Sequence, residues 1–164
     1  MQSYCMEIVK IPRMNKMEYD QLIAEEYVAR IVFKGGKYPY IAPFLYFFDG
    51  KFMYFLSTKY GKKIRYFRRN PYASVEIEKY SQDFSNYRFV ILSGRLLEVE
   101  ENNDKKAIRE KFVHLIKGKN LSKNIMVALG HLPEEPIETI GTSERIHVWK
   151  LVDVKDIIGL KSGT

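Results

Sequence analysis

The chain has 164 residues, 46% of them hydrophobic, and a formal net charge of +7. That length suits one domain with a real core, and that composition excludes a disordered chain. The positive balance suits an anionic ligand or nucleic acid. No apolar run is long enough to span a membrane, and the opening MQSYCMEIVKIPRMNK lacks the apolar core of a signal peptide. Cys5 is the sole cysteine, so no intrachain disulfide can form, and a reducing cytoplasm is the expected compartment.

Residues 1–14 read as extended, lying on the surface or pairing at an edge. Asn15 followed by Glu18 is a capping-box pattern and predicts a helix over about 16–26, with Tyr19, Leu22 and Ile23 on its apolar face. Strands are expected over 28–34 and 40–48, joined by Gly35-Gly36. Pro43 lacks an N–H, so it marks an edge, a bulge or a place where the backbone faces something other than a strand. Asp49-Gly50 is a hairpin signal that returns the chain as a strand over 51–57. A short basic helix follows, with Ser57 and Thr58 as candidate caps and Tyr60, Ile64 and Phe67 on one face. Asn70-Pro71 closes it.

Further strands are expected over 72–78 and 87–100, and Gly94 suggests a bulge that lets a sheet curl. Asn103-Asp104 is expected to cap a helix running to about Lys117, with Ile108, Phe112, Leu115 and Ile116 on one face and Gly118 as its stop. A shorter helix over 122–129 ends at Gly130, a loop spans 133–143, and the last strand runs over 146–152. The remainder reads as a tail with one more short element. The fold class expected from this order is mainly β with flanking helices, a small closed or split barrel in a single domain over 1–164.

The basic helix opens with Lys62 and Lys63, where the positive end of the helix favours acidic residues. Two readings stay open from the charges alone: a solvated basic face, or an anion held at the helix N-terminus. Most catalytic templates are missing. His114, His131 and His147 have no partner at a metal-like spacing, and His131, after a helix-ending glycine, is the one expected near a cleft. There is no Gly-x-Ser-x-Gly elbow, no phosphate loop of the Walker type and no Gly-x-Gly-x-x-Gly. A bound cofactor that brings its own chemistry fits this shortage. Nucleic-acid binding is the rival, with Tyr60, Tyr66, Phe67, Arg68 and Arg69 as candidate contacts. It is disfavoured because the aromatics fall on apolar faces and the basic residues concentrate in one short helix.

The segments FLST, GKK and RRNP, in that order, resemble the pyridoxamine 5′-phosphate oxidase-like FMN-binding split barrels. The hairpin PYIAPFLYFFDGKFMYF and the closing KLVDVKDIIGLKSG resemble the branch that includes nitroimidazole-reductase-like flavoproteins. The resemblance implies an FMN cofactor, with Lys62 and Lys63 at its phosphate. It places Leu56, Ser57 and Thr58 at the strand end facing the cofactor, and Ile41, Ala42, Pro43, Phe44 and Leu45 on the strand beside the flavin ring. It implies a homodimer with the cofactor at the interface, and Arg88 and Trp149 are the candidates for contacts from the partner chain. Gly61 stands where serine is frequent, and Phe89 where the oxidases proper carry glutamine, so vitamin B6 oxidation is not the expected activity. The implied activity is hydride or electron transfer to an unidentified small molecule; a deazaflavin or haem ligand would keep the fold and change the function. Tyr46 and Phe48 add to the dimer expectation, as large rings beyond what one small barrel buries.

Overall fold

The structure, a computed structural model, describes residues 8–163. Cys5 and the first half of the expected extended segment lie outside them. The described residues form six strands: β1 (Val28–Phe33), β2 (Tyr40–Phe48), β3 (Met53–Thr58), β4 (Tyr72–Tyr80), β5 (Tyr87–Glu98) and β6 (Ile146–Lys161). Four α-helices accompany them: α1 (Lys16–Glu25), α2 (Lys62–Arg69), α3 (Asn102–Gly118) and α4 (Asn124–Ala128). The strands close into an antiparallel barrel in the order β1-β2-β3-β6-β5-β4. The mainly β class with flanking helices is therefore the observed one.

Local chemistry sets most of the boundaries. The Asn15 side chain accepts the Glu18 N–H at 2.9 Å, while the Glu18 carboxylate accepts the Asn15 N–H at 3.1 Å, so α1 starts on a complete capping box. The α3 cap is Glu101, not Asn103-Asp104: its carboxylate accepts the N–H groups of Asn103 at 3.1 Å and Asp104 at 2.8 Å. A carboxylate at that end also suits the helix dipole. Gly118 is the last residue of α3 rather than its stop, and the chain turns afterwards at Asn120, whose φ is 50°. The expected loop over 133–143 contains a 3-10 turn, Ile137–Thr142.

The largest departure from the sequence reading is β6. It is one strand of 16 residues, not a short strand and a tail. Asp153 bends it with a φ of 51°, and the β5–β6 register shifts between Ser93 and Arg95, after which pairing resumes. Gly94 sits at this irregularity because a Cβ there would stand 2.7 Å from the Val152 carbonyl oxygen. Pro12, Arg13 and Met14 pair with the far end of β6, as an edge segment should.

The sheet separates two cores. Inside the barrel, Phe33, Phe44, Phe55 and Trp149 pack with Ile31, Val75, Val90 and Leu96. Outside it, Leu56, Ile146 and Val148 pack under Phe112 and Ile116 of α3 and Met126 of α4. β3 is buried on both faces for this reason. The expectation that Tyr46 and Phe48 overfill the barrel does not hold. Tyr46 is 1% exposed and donates its hydroxyl to the Ile23 carbonyl at 2.6 Å, and Phe48 packs against the same core. α1 closes over that end and supplies the polar partner a buried phenol needs.

A candidate anion and cofactor site

The site grows from the way β2 changes partner. Its ladder with β1 runs from Tyr40 to Leu45, and its ladder with β3 covers only Tyr46 to Phe48. β3 then pairs with β6 through Thr58. Residues 41–45 of β2 thus have a strand on one side only. The Tyr46 N–H donates to the Tyr27 carbonyl at 2.9 Å, so by alternation Phe44 and Ala42 also bond toward β1. Ile41, Pro43 and Leu45 direct their backbone groups to the side with no strand. Pro43 is tolerated in mid-strand because its missing N–H falls on this free edge. A cleft of about 320 Å³ lies here, lined by Pro43, Phe44 and Leu45 and by Ile125 and Ala128 of α4.

α2 approaches β2 through Lys63, which reaches the Phe44 ring. Its N-cap is Gly61, with φ at 101°, and no side chain caps it. Ser57 and Thr58 are not caps: the Ser57 hydroxyl donates to the Thr58 carbonyl at 2.9 Å, and the Thr58 hydroxyl to the Tyr60 carbonyl at 3.4 Å. A Cβ on Gly61 would meet nothing within 4 Å, so the space before the first turn is open. Tyr60 lies outside the helix and is exposed, while Ile64 and Phe67 pack into the barrel core.

Lys63 is half-buried, with its Nζ 5.9 Å from the centre of the Phe44 ring. Burial pushes its pKa below the usual lysine value. Among the described residues neither Lys62 nor Lys63 meets a carboxylate within ion-pair distance. A cation drawn into a partly desolvated position without a counterion is what a solvated basic face does not explain.

The expected site residues divide. Pro43, Phe44 and Leu45 line one cleft, Lys63 reaches the Phe44 ring, which packs in the barrel core, and Ile41, 59% exposed, continues the β2 edge. Lys62 is exposed at the open helix start. Ala42, Leu56, Ser57 and Thr58 are buried. Ser57 shares the barrel-interior face with its cross-strand neighbour His147, and Thr58 turns the other way, toward Gly130. Arg88 is half-buried and bound to Glu25 at 3.1 Å. Trp149 is a core residue: it is fully buried and stacks on Phe67 at 4.7 Å, so it cannot reach a partner chain's site.

Two polar clusters were not legible beforehand. His147 Nδ1 lies 2.5 Å from Glu98 Oε1. His131, expected near a cleft, is 4% exposed; its Nε2 meets the Ser143 hydroxyl at 3.0 Å and its Nδ1 the Glu135 carboxylate at 3.0 Å, with Arg145 on the same carboxylate at 2.7 Å. These partners lie 4 to 14 residues from His131 in an irregular loop, where no periodic pattern signals them.

The sequence matches the pyridoxamine 5′-phosphate oxidase family over residues 15–137, which takes in α1, the first five strands and the basic helix. The chain belongs to that family. Solved structures agree with the split-barrel fold of such oxidases. A FAD-binding protein from Mesorhizobium loti is 17% identical, with a TM-score of 0.69 over 94% of this chain and 100% of its own. A putative 5-nitroimidazole antibiotic resistance protein from Bacteroides thetaiotaomicron is 14% identical, with a TM-score of 0.62 over 93% of this chain and 87% of its own. A haem storage protein from Vibrio cholerae is 9% identical, with a TM-score of 0.66 over 89% of this chain and 94% of its own. No curated relative matches the chain. At these identities the likeness is one of fold.

Proposed function

We propose that this oxidase-family chain is an FMN-dependent oxidoreductase acting on a small molecule, as a homodimer. One observation carries the reading: Lys63 is half-buried, with no carboxylate within ion-pair distance among the described residues, at the uncapped start of α2 and within reach of the Phe44 ring on β2. A helix N-terminus with two ammonium groups suits a phosphate monoester. The free N–H and C=O groups of the β2 edge suit the polar rim of a flat heterocycle, and the cleft beside Pro43 gives its face an apolar wall. FMN combines both parts. The M. loti relative, described as FAD-binding, supports a flavin. When bound, the flavin supplies the electron transfer. Lys62 and Lys63 hold the phosphate, the β2 backbone orients the ring, and no acid or base from this chain is required.

The test is a titration with FMN, read by the change in flavin absorbance. Saturable one-to-one binding per chain is expected. No change with FMN, together with a salt-sensitive shift of an oligonucleotide, would reverse the reading. Binding of haemin in place of FMN would keep the fold and replace the function; the haem storage relative makes that the needed control. Against a nucleic-acid surface, Tyr66 and Phe67 are packed against the barrel core and offer no open stacking platform.

The homodimer rests on the exposed apolar side chains Val28 and Ile41, at 50% and 59%, on the outer face next to the free β2 edge. A second copy seated there would cover them and close the cofactor site. Light scattering should give about twice 19.4 kDa. A monomer at micromolar concentration would sink the shared site while leaving the FMN titration to judge the cofactor. The cytoplasm is the proposed compartment, with the single cysteine as its support.

A further inference from the structure

A second cleft, of about 680 Å³, opens on the outer face of the barrel between the β1–β2 connection, the start of β4 and the β5–β6 irregularity. It shares no lining residue with the cleft beside Pro43. Its volume falls within the range of roughly 300–1,000 Å³ typical of small-molecule sites. Tyr72 and Pro39 supply flat apolar walls. Tyr72 is 58% exposed and makes no ring contact among the described residues. In the floor, the hydroxyls of Ser74 and Ser93 meet at 3.0 Å across the β4–β5 ladder. One proton is used in that bond, so the second hydroxyl proton stays available to a ligand.

The charges around this cleft are unbalanced. Lys34 and Lys155 both line it, and neither has an ion-pair partner among the described residues. The carboxylate in the lining, Asp153, is taken by Arg95 at 3.0 Å. What remains is two ammonium groups, one hydroxyl donor and an unstacked phenol ring around one cavity. Both lysines are exposed, so water solvates their ammonium groups in the free protein, and only an anionic ligand gains ion pairs from them. A flat anion satisfies them and stacks on Tyr72.

We propose that this cleft is a second ligand site, separate from the lysine pair of α2, and that it takes a flat aromatic carboxylate. The carboxylate lies between Lys34 and Lys155 and accepts from the serine pair, and the ring lies against Tyr72 and Pro39. Nothing in this assignment depends on a flavin.

The probe is 2-naphthoate, with neutral 2-naphthamide as its isostere, titrated into the isotopically labelled full chain and read by amide chemical shifts. Saturable shifts at Ser74, Ser93 and Gly94 are expected, with naphthoate binding about tenfold or more tighter than the amide. The Lys34→Ala/Lys155→Ala variant should lose this preference while still binding the amide. No saturable shift at millimolar naphthoate overturns the proposal. So do shifts confined to residues 61–64, or an unchanged preference in the double variant. The wild-type shift map decides the location even if the variant folds poorly.

Discussion

Replacing Lys62 and Lys63 together with alanine is expected to weaken FMN binding by a few kcal/mol. Each charge-assisted hydrogen bond contributes about 1.5–3 kcal/mol, and two on one phosphate add up to less than their sum. Riboflavin, which lacks the phosphate, should lose far less. The comparison matters more than either loss, because it separates a phosphate contact from an effect on folding or on the ring. The same variant without ligand should be at least as stable as the native chain. Lys62 and Lys63 sit at the positive end of α2, and burial already disfavours the charged form of Lys63. Isothermal titration with both flavins, alongside urea unfolding of the ligand-free proteins, checks both halves. Equal losses for FMN and riboflavin would remove the phosphate from the site.

Trp149→Ala is expected to destabilise the ligand-free chain by about 3–5 kcal/mol, the usual cost of emptying a large aromatic position in a core. Trp149 is fully buried, stacks on Phe67 of α2 and lies 5.7 Å from Phe44 and 6.1 Å from Phe33 between ring centres. Trp149→Phe should cost much less. It keeps a ring in place and removes an indole N–H that is buried with no partner among the described residues. Urea unfolding of both variants without flavin is the measurement. A loss below about 1 kcal/mol for the alanine variant would contradict the core assignment. If that loss appeared only in the presence of flavin, Trp149 would return to the list of cofactor contacts.

Much of the fold was legible because the signals are local. The Asn15–Glu18 capping box placed α1, the span 40–48 was read to its observed limits, and Asn70-Pro71 closed α2 where the C-cap lies. Gly94 pointed to the irregularity between β5 and β6. What it left open was that β6 continues past it: Asp153 in a left-handed conformation reads locally as a strand end. Pairing with the full length of β5 overrides that local signal, and pairing is a long-range property. The Glu101 cap was missed for a similar reason, since Asn103 and Asp104 are the better intrinsic cap formers two residues later.

By itself, the sequence determined the barrel class, the basic opening of α2 and the reading of Pro43 as an edge, a bulge or a place where the backbone faces something other than a strand. Each of these follows from backbone constraints or from charge within a few residues. Only the tertiary structure supplies the observation on which the anion reading is proposed: Lys63 is half-buried, 5.9 Å from the Phe44 ring centre, with no carboxylate within ion-pair distance among the described residues. It also moved Trp149 and His131 from candidate positions into packed interiors. It brought Ser74, Ser93, Lys34 and Lys155 to one cleft from three different strands and a turn. Burial and convergence depend on which surfaces meet when the barrel closes, and no residue's neighbours along the chain carry that information.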